Sequence, residues 1–134
     1  MEQIFQYRSE IHEIPNIRKD MEMLENAWKI PKSKMNQIRV IIEELFSNIV
    51  RFAYEDQSEH TIEIRMNRNE ELIEIEIIDD GIAFNPLERD EDPLRDPALV
   101  ESGGMGLTLV QTFSNKMSYQ RKGDKNLLRI EKKI

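Results

Sequence analysis

The sequence predicts an α+β domain in which helices cover one face of a mixed, mainly antiparallel sheet. Three observations support this. Thr61–Met66 and Leu72–Ile78 alternate apolar and charged residues with a period of two, as the strands of a hairpin with one wet face do. Between about Ser33 and Glu55, Ile38, Ile42, Leu45, Ile49 and Phe52 recur at spacings of four, three, four and three, which is the apolar stripe of a long helix. The order of elements, β-α-α-β-β-loop-α-β-β, groups strands and helices rather than alternating them strictly.

Taken in order, Gln3–Arg8 carries Ile4, Phe5 and Tyr7 and is expected as a first strand. Pro15 opens a helix with Ile17, Met21, Leu24 and Trp28 on one face, and Pro31 breaks it. Ser33 is the expected N-cap of the long helix. Asn67–Glu71 turns the hairpin. From Asp79 to Gly103 regular pattern is lost, and three of the chain's five prolines (Pro86, Pro93, Pro97) fall in this stretch. Roughly 25 residues without an element is long for a connection and points to a functional lid. A helix resumes near Gly104, with Leu107, Val110 and Phe113 as its apolar positions. Two strands, about Met117–Lys122 and Asn126–Lys132, flank a turn at Gly123-Asp124.

The 134 residues suit one domain. With 19 Lys and Arg against 26 Asp and Glu, the net charge is −7, which argues against a nucleic-acid surface and suits a basic protein partner. At 39% hydrophobic and 34% charged the chain is expected to be soluble and folded. No apolar run approaches the ~18 residues of a membrane span, and the N-terminus lacks the pattern of a signal peptide. Without cysteine, thiolate chemistry, disulfides and thiolate zinc sites are excluded.

Three constellations could carry chemistry. Glu44 and Asn48 lie four apart on the long helix, so they stack on one face at the edge of the core, with Ile41 and Arg51 on the same stripe. A carboxylate held there can take a proton from a hydroxyl or water, and the Asn oxygen is a hard ligand suited to magnesium; a polar helix flank is the plainer alternative. In Asp79-Asp80-Gly81, Asp79 continues the parity of Ile73, Ile75 and Ile77 and is expected on the buried face, while Asp80 points to solvent. A buried carboxylate needs donors. A purine amine would be one, and Gly81 would admit the base closely; a turn in which Asp79 caps backbone N–H groups is the alternative. Gly103-Gly104-Met105-Gly106-Leu107 opens the last helix, where N–H groups and the helix dipole favour phosphate. It is neither a P-loop nor a dinucleotide fingerprint.

Glu44-x-x-x-Asn48, Asp79-x-Gly81 and Gly104-x-Gly106-Leu107, in this order, resemble the asparagine box and two glycine boxes of the GHKL ATP-binding superfamily. The segments Glu43 to Tyr54, Asp79 to Pro86 and Gly103 to Leu107 are similar to its anti-sigma-factor serine kinase (RsbW-like) branch. The resemblance implies a two-layer Bergerat-type α/β sandwich over residues 1–134 with an ATP lid at about 82–103. It implies Glu44 as general base and Asn48 as magnesium ligand. Asp79 becomes the adenine-binding carboxylate, and Arg51, Gly81, Phe84, Gly103, Gly104, Met105, Gly106 and Leu107 line the nucleotide. Arg89 or Arg95 in the lid could reach the γ-phosphate. Ala83 replaces a frequent second glycine, Arg51 stands where histidine is common, and Gly123-Asp124-Lys125-Asn126 replaces the usual Gly-Thr whose threonine assists the adenine-side carboxylate.

The implied function is an ATP- and Mg2+-dependent serine-protein kinase and anti-sigma factor. It would be a cytoplasmic homodimer that binds a sigma factor or other output protein and phosphorylates a small antagonist, with no direct nucleic-acid or membrane contact. The alternative is an ATP-binding interaction module without kinase activity. A histidine-kinase fragment is disfavoured because no helix pair with a phosphoacceptor histidine is seen. A domain with no ligand is the plainest remaining reading.

Overall fold

Two hairpins and the N-terminal strand supply the sheet, and the computed structural model describes residues 1–54, 58–85 and 103–134. Its elements are β1 (Glu2–Arg8), a 3-10 turn (Ile11–Glu13), α1 (Ile14–Ala27), α2 (Lys32–Phe52), β2 (Thr61–Arg68), β3 (Leu72–Asp79), α3 (Gly103–Phe113), β4 (Lys116–Lys122) and β5 (Lys125–Lys133). In the β2–β3 turn, the Asn69 side-chain oxygen accepts from the N–H groups of Glu71 (3.0 Å) and Leu72 (2.9 Å), the local bond for which asparagine is favoured in turns. The β4–β5 turn places Gly123 at φ 59, a left-handed conformation that glycine adopts without strain.

The strand order is β1-β2-β3-β5-β4, and each described pairing is antiparallel. The expected parallel component is absent among the described strands for a topological reason. The connection through α3 does bring β4 back in the direction of β3, but β5 inserts between them and pairs antiparallel with both. The register sets Ile75 opposite Ile130 and Ile77 opposite Leu128, so Asp79, the next residue of the same parity, stands opposite Asn126.

One face of the sheet is dry. Phe5, Tyr7, Ile62, Ile64, Met66, Ile73, Ile75, Ile77, Leu128 and Ile130 share a core with Ile17, Met21 and Leu24 of α1 and Ile38, Ile42, Leu45 and Ile49 of α2. Each buried isoleucine or leucine contributes roughly 1.5–3 kcal/mol by leaving water. The other face is polar and holds the ion pairs Arg65–Glu63 (2.7 Å) and Arg129–Glu76 (2.8 Å). Tyr7 donates its hydroxyl to Asp20 (2.7 Å), tying β1 to α1, and an Arg18–Glu43 ion pair ties α1 to α2.

The long helix corrects one expectation. Ser33 is not the N-cap: Pro31 is, and its carbonyl accepts from the N–H groups of Lys34 (3.0 Å) and Met35 (2.9 Å), while no side chain caps the helix. The cap falls two residues earlier than expected, at a proline whose ring already fixes φ while its extended ψ keeps it just outside the helix. At the other end the helix stops at Phe52 with Ala53 as its C-cap, short of the expected Glu55, which lies outside the described residues.

Candidate nucleotide site

The site lies where the second half of α2, the end of β3, the start of α3 and the β4–β5 hairpin meet. On α2, Asn48 is 3% exposed and its Oδ1 has no hydrogen-bond partner among the described residues. A buried acceptor left open costs free energy unless something fills it. One turn earlier, Glu44 is half-buried beneath α3. A Cβ built at Gly106 would lie 1.9 Å from Glu44 Oε2, so the absence of a side chain at 106 is what gives the carboxylate its position. Burial holds the Glu44 carboxyl above the usual carboxylate range, the Arg51 charge opposes that shift, and Glu43 adds to it. A half-buried carboxylate with raised proton affinity is a suitable proton acceptor.

Asp79 ends β3 on the buried face, as its parity predicts, and is 3% exposed. Its Oδ1 accepts from the Gly81 N–H (2.9 Å) and from Asn126 Nδ2 (2.9 Å). Burial pushes its carboxyl upward; the bonds from Asn126 and Gly81 and the charge of Arg121 restrain the shift, and Asp80 adds to it. Gly81 has a second function. A Cβ there would lie 2.4 Å from the Ala53 carbonyl oxygen, which also accepts from the Ile82 N–H (2.8 Å), so the Asp79 turn is clamped directly onto the C-terminus of α2.

The other expected residues fall around these two carboxylates. Phe84 is half-buried and its ring lies 6.0 Å from that of Phe52. Gly103, Gly104, Met105, Gly106 and Leu107 form the first turns of α3, and Leu107 is buried. Arg51 is exposed. Asp80 is exposed as expected but is also paired, through Oδ1, with His60 Nδ1 at 3.1 Å. Arg89, Arg95 and most of the expected lid lie outside the described residues.

Sequence reasoning missed Asn126, Tyr119 and Arg121. Asn126 is 1% exposed, and its Oδ1 accepts from Tyr119 Oη, Arg121 Nη1 (3.2 Å) and the Phe84 N–H (3.3 Å). Arg121 also donates to the Gly81 carbonyl (2.8 Å). The signal lay in the strand pairing: once β5 is set against β3 by its apolar residues, Asn126 faces Asp79.

The open Asn48 oxygen fits a magnesium ion in charge type and hardness. Among the described residues no group of three His, Cys, Asp or Glu converges, and magnesium can instead take its further ligands from phosphate and water oxygens. That is how magnesium is commonly held at phosphates.

Residues 7–132 match the histidine kinase-like ATPase domain family, and the chain belongs to it. It is 20% identical over 90 residues to the anti-sigma F factor of Lysinibacillus sphaericus, covering 66% of this chain and 62% of that one. It is 29% identical over 89 residues to the serine/threonine-protein kinase BtrW of Bordetella bronchiseptica, covering 66% and 63%. The chain thus spans less than two thirds of the length of these relatives. The histidine kinase domain of the blue-light activated kinase from Erythrobacter litoralis EL346 shares the fold, with a TM-score of 0.54 at 18% identity over 77% of this chain and 46% of that one. These similarities agree with the GHKL resemblance and its anti-sigma kinase branch. No described helix is long and apolar enough to cross a membrane.

Proposed function

We propose that residues 1–134 form one nucleotide-binding unit that works as an ATP-dependent serine-protein kinase and anti-sigma factor of a partner-switching module. The observation that carries this is the placement of Glu44. It is pressed against glycine at the start of α3, its proton affinity is raised, and it sits one helical turn from the open, buried oxygen of Asn48. A buried acceptor left open beside a half-desolvated carboxylate is an arrangement that a bound ligand would complete.

The roles follow from position. Asp79 accepts the amine of adenine. The first turn of α3 offers backbone N–H groups to phosphate. Asn48 Oδ1 would hold Mg2+, which supplies charge neutralisation at the phosphates. Glu44 takes the proton from a serine hydroxyl of the small antagonist protein, and Arg51 tunes its charge. Binding of a sigma factor or other output protein, homodimerisation through Gln3 to Trp28 and action in the cytoplasm belong to the same proposal. The names of the relatives support the kinase and sigma-factor roles, and Ile11 and Met23 expose apolar side chains in that N-terminal region.

The test is titration calorimetry with a non-hydrolysable ATP analogue, with and without magnesium, followed by phosphoserine mass spectrometry on candidate small antagonists. Binding is expected to weaken without magnesium, and Asn48→Ala is expected to lose that dependence. Glu44→Gln is expected to bind the analogue yet transfer phosphate at least ~100-fold more slowly, the usual loss when a general base is removed. Wild-type transfer by Glu44→Gln would refute the base assignment. Binding with no transfer to any antagonist would favour the silent interaction module.

A further inference from the structure

We propose that Asn126 is a positioning residue of this site: one carboxamide orients the Asp79 carboxylate and at the same time fixes the backbone of Ile82 to Phe84 that leaves the site. The proposal rests on Asp79 as the base acceptor.

The geometry admits one orientation of the amide. Nδ2 donates its two hydrogens to Asp79 Oδ1 (2.9 Å) and to the Ile82 carbonyl (2.7 Å). Oδ1 faces three donors: Tyr119 Oη, Arg121 Nη1 and the Phe84 N–H. Turning the amide over would set its oxygen against two acceptors and its N–H groups against donors. Asn126 therefore treats Ile82 and Phe84 as a residue of a neighbouring strand would, donating to one carbonyl and accepting from the N–H two residues on. A hydroxyl, with one hydrogen, could serve Asp79 or Ile82 but not both. The carboxamide thus does more than the threonine expected in this region would do.

This arrangement determines which face of Asp79 meets a ligand. Both donors converge on Oδ1, and no described residue donates to Oδ2. With both hydrogens of Asn126 engaged inside the protein, its amide has none left for the base. The charged and titratable groups around Asp79 are Asp80 beside it, Arg121 on β4 and Tyr54 just beyond α2, whose hydroxyl is itself pushed up by burial and by the charges of Asp79 and Asp80. Against that background the Asn126 bond is the largest influence opposing the upward push of burial on this carboxyl. A protonated Asp79 would present a hydroxyl where the base amine needs an acceptor.

The test compares the wild type with Asn126→Asp and Asn126→Leu by carbon NMR titration of the Asp79 carboxyl, without ligand, and by the pH dependence of affinity for the non-hydrolysable ATP analogue. The Asp79 titration is expected to move up by roughly one pH unit or more in both variants, because each loses the donor and the first adds a like charge. Affinity should then fall away on the acid side at a correspondingly higher pH than in the wild type. Asn126→Asp keeps the acceptor for Phe84 and should leave the exchange of that amide slow; Asn126→Leu should speed it.

Folded variants in which Asp79 titrates as in the wild type would overturn the proposal. Should the variants not fold, the wild type still decides. Its Asn126 side-chain amide protons should exchange slowly and shift with the Asp79 titration, and fast exchange with no such shift would overturn it. Wild-type protein with a shifted Asp79 titration and no nucleotide affinity would overturn instead the base-acceptor reading, and with it the functional half of this proposal.

Discussion

Asp79 and Glu44 each sit where burial favours the neutral carboxyl, and in each the surroundings oppose that preference: amide and backbone donors for Asp79, the Arg51 charge for Glu44. Such a carboxylate weakens the fold at neutral pH relative to a neutral isostere. Asp79→Asn retains an oxygen for the Gly81 and Asn126 donors and removes the buried charge. We expect a higher Tm at pH 7 together with a loss of nucleotide affinity of about tenfold or more, the effect of replacing an acceptor for a ligand donor by a donor. Thermal melts and calorimetry on the same sample check both; an unchanged affinity would remove Asp79 from base recognition.

At the scale of elements, two glycines set two close approaches, and their substitutions should differ in kind. Gly106 is inside α3, where alanine is the better helix former by about 1 kcal/mol. Its Cβ would meet the mobile end of Glu44 rather than backbone. Gly106→Ala is therefore expected to keep or raise Tm while slowing phosphoryl transfer by about 100-fold through displacement of the carboxylate. Gly81→Ala meets the Ala53 backbone carbonyl, which cannot swing aside. It is expected to lower stability by about 1–3 kcal/mol, the usual cost of overpacking, and to weaken nucleotide binding with it. Denaturant melts separate the two cases, and equal destabilisation by both would contradict this account.

Across the whole molecule the same carboxylates give stability a pH dependence of known sign. A carboxyl whose folded proton affinity is raised stabilises the fold fully below its unfolded pKa and loses that contribution as pH rises through the folded value. Asp79 and Glu44 both shift upward from the ordinary carboxyl values of 3.8 and 4.5. The difference in Tm between Asp79→Asn/Glu44→Gln and the wild type is therefore expected to grow in favour of the variant between about pH 4 and pH 7. A difference independent of pH would show that neither group is perturbed.

Much of this protein was legible in its sequence because short-range periodicity and backbone chemistry act locally. The alternation of Ile62, Ile64 and Met66 and of Ile73, Ile75 and Ile77 determined two strands and their dry face. The parity of β3 carried Asp79 into the interior, and the helical spacing of Glu44 and Asn48 put them on one face at the core's edge. The order of the three motifs pointed to the family. Helix ends were less legible, since Pro31 and Ser33 are both acceptable at an N-terminus and only the structure shows the Pro31 carbonyl taking the first N–H groups. What the tertiary structure alone decided is which distant residues meet. The insertion of β5 between β3 and β4 made the sheet antiparallel at every described pairing and set Asn126 against Asp79, 47 positions away. The packing of α3 on α2 turned Gly106 into the space that Glu44 occupies. The physical reason is the same in both cases: periodicity says which side of an element is buried, but the partner of a buried polar group is set by strand pairing and helix packing between segments that no local pattern connects.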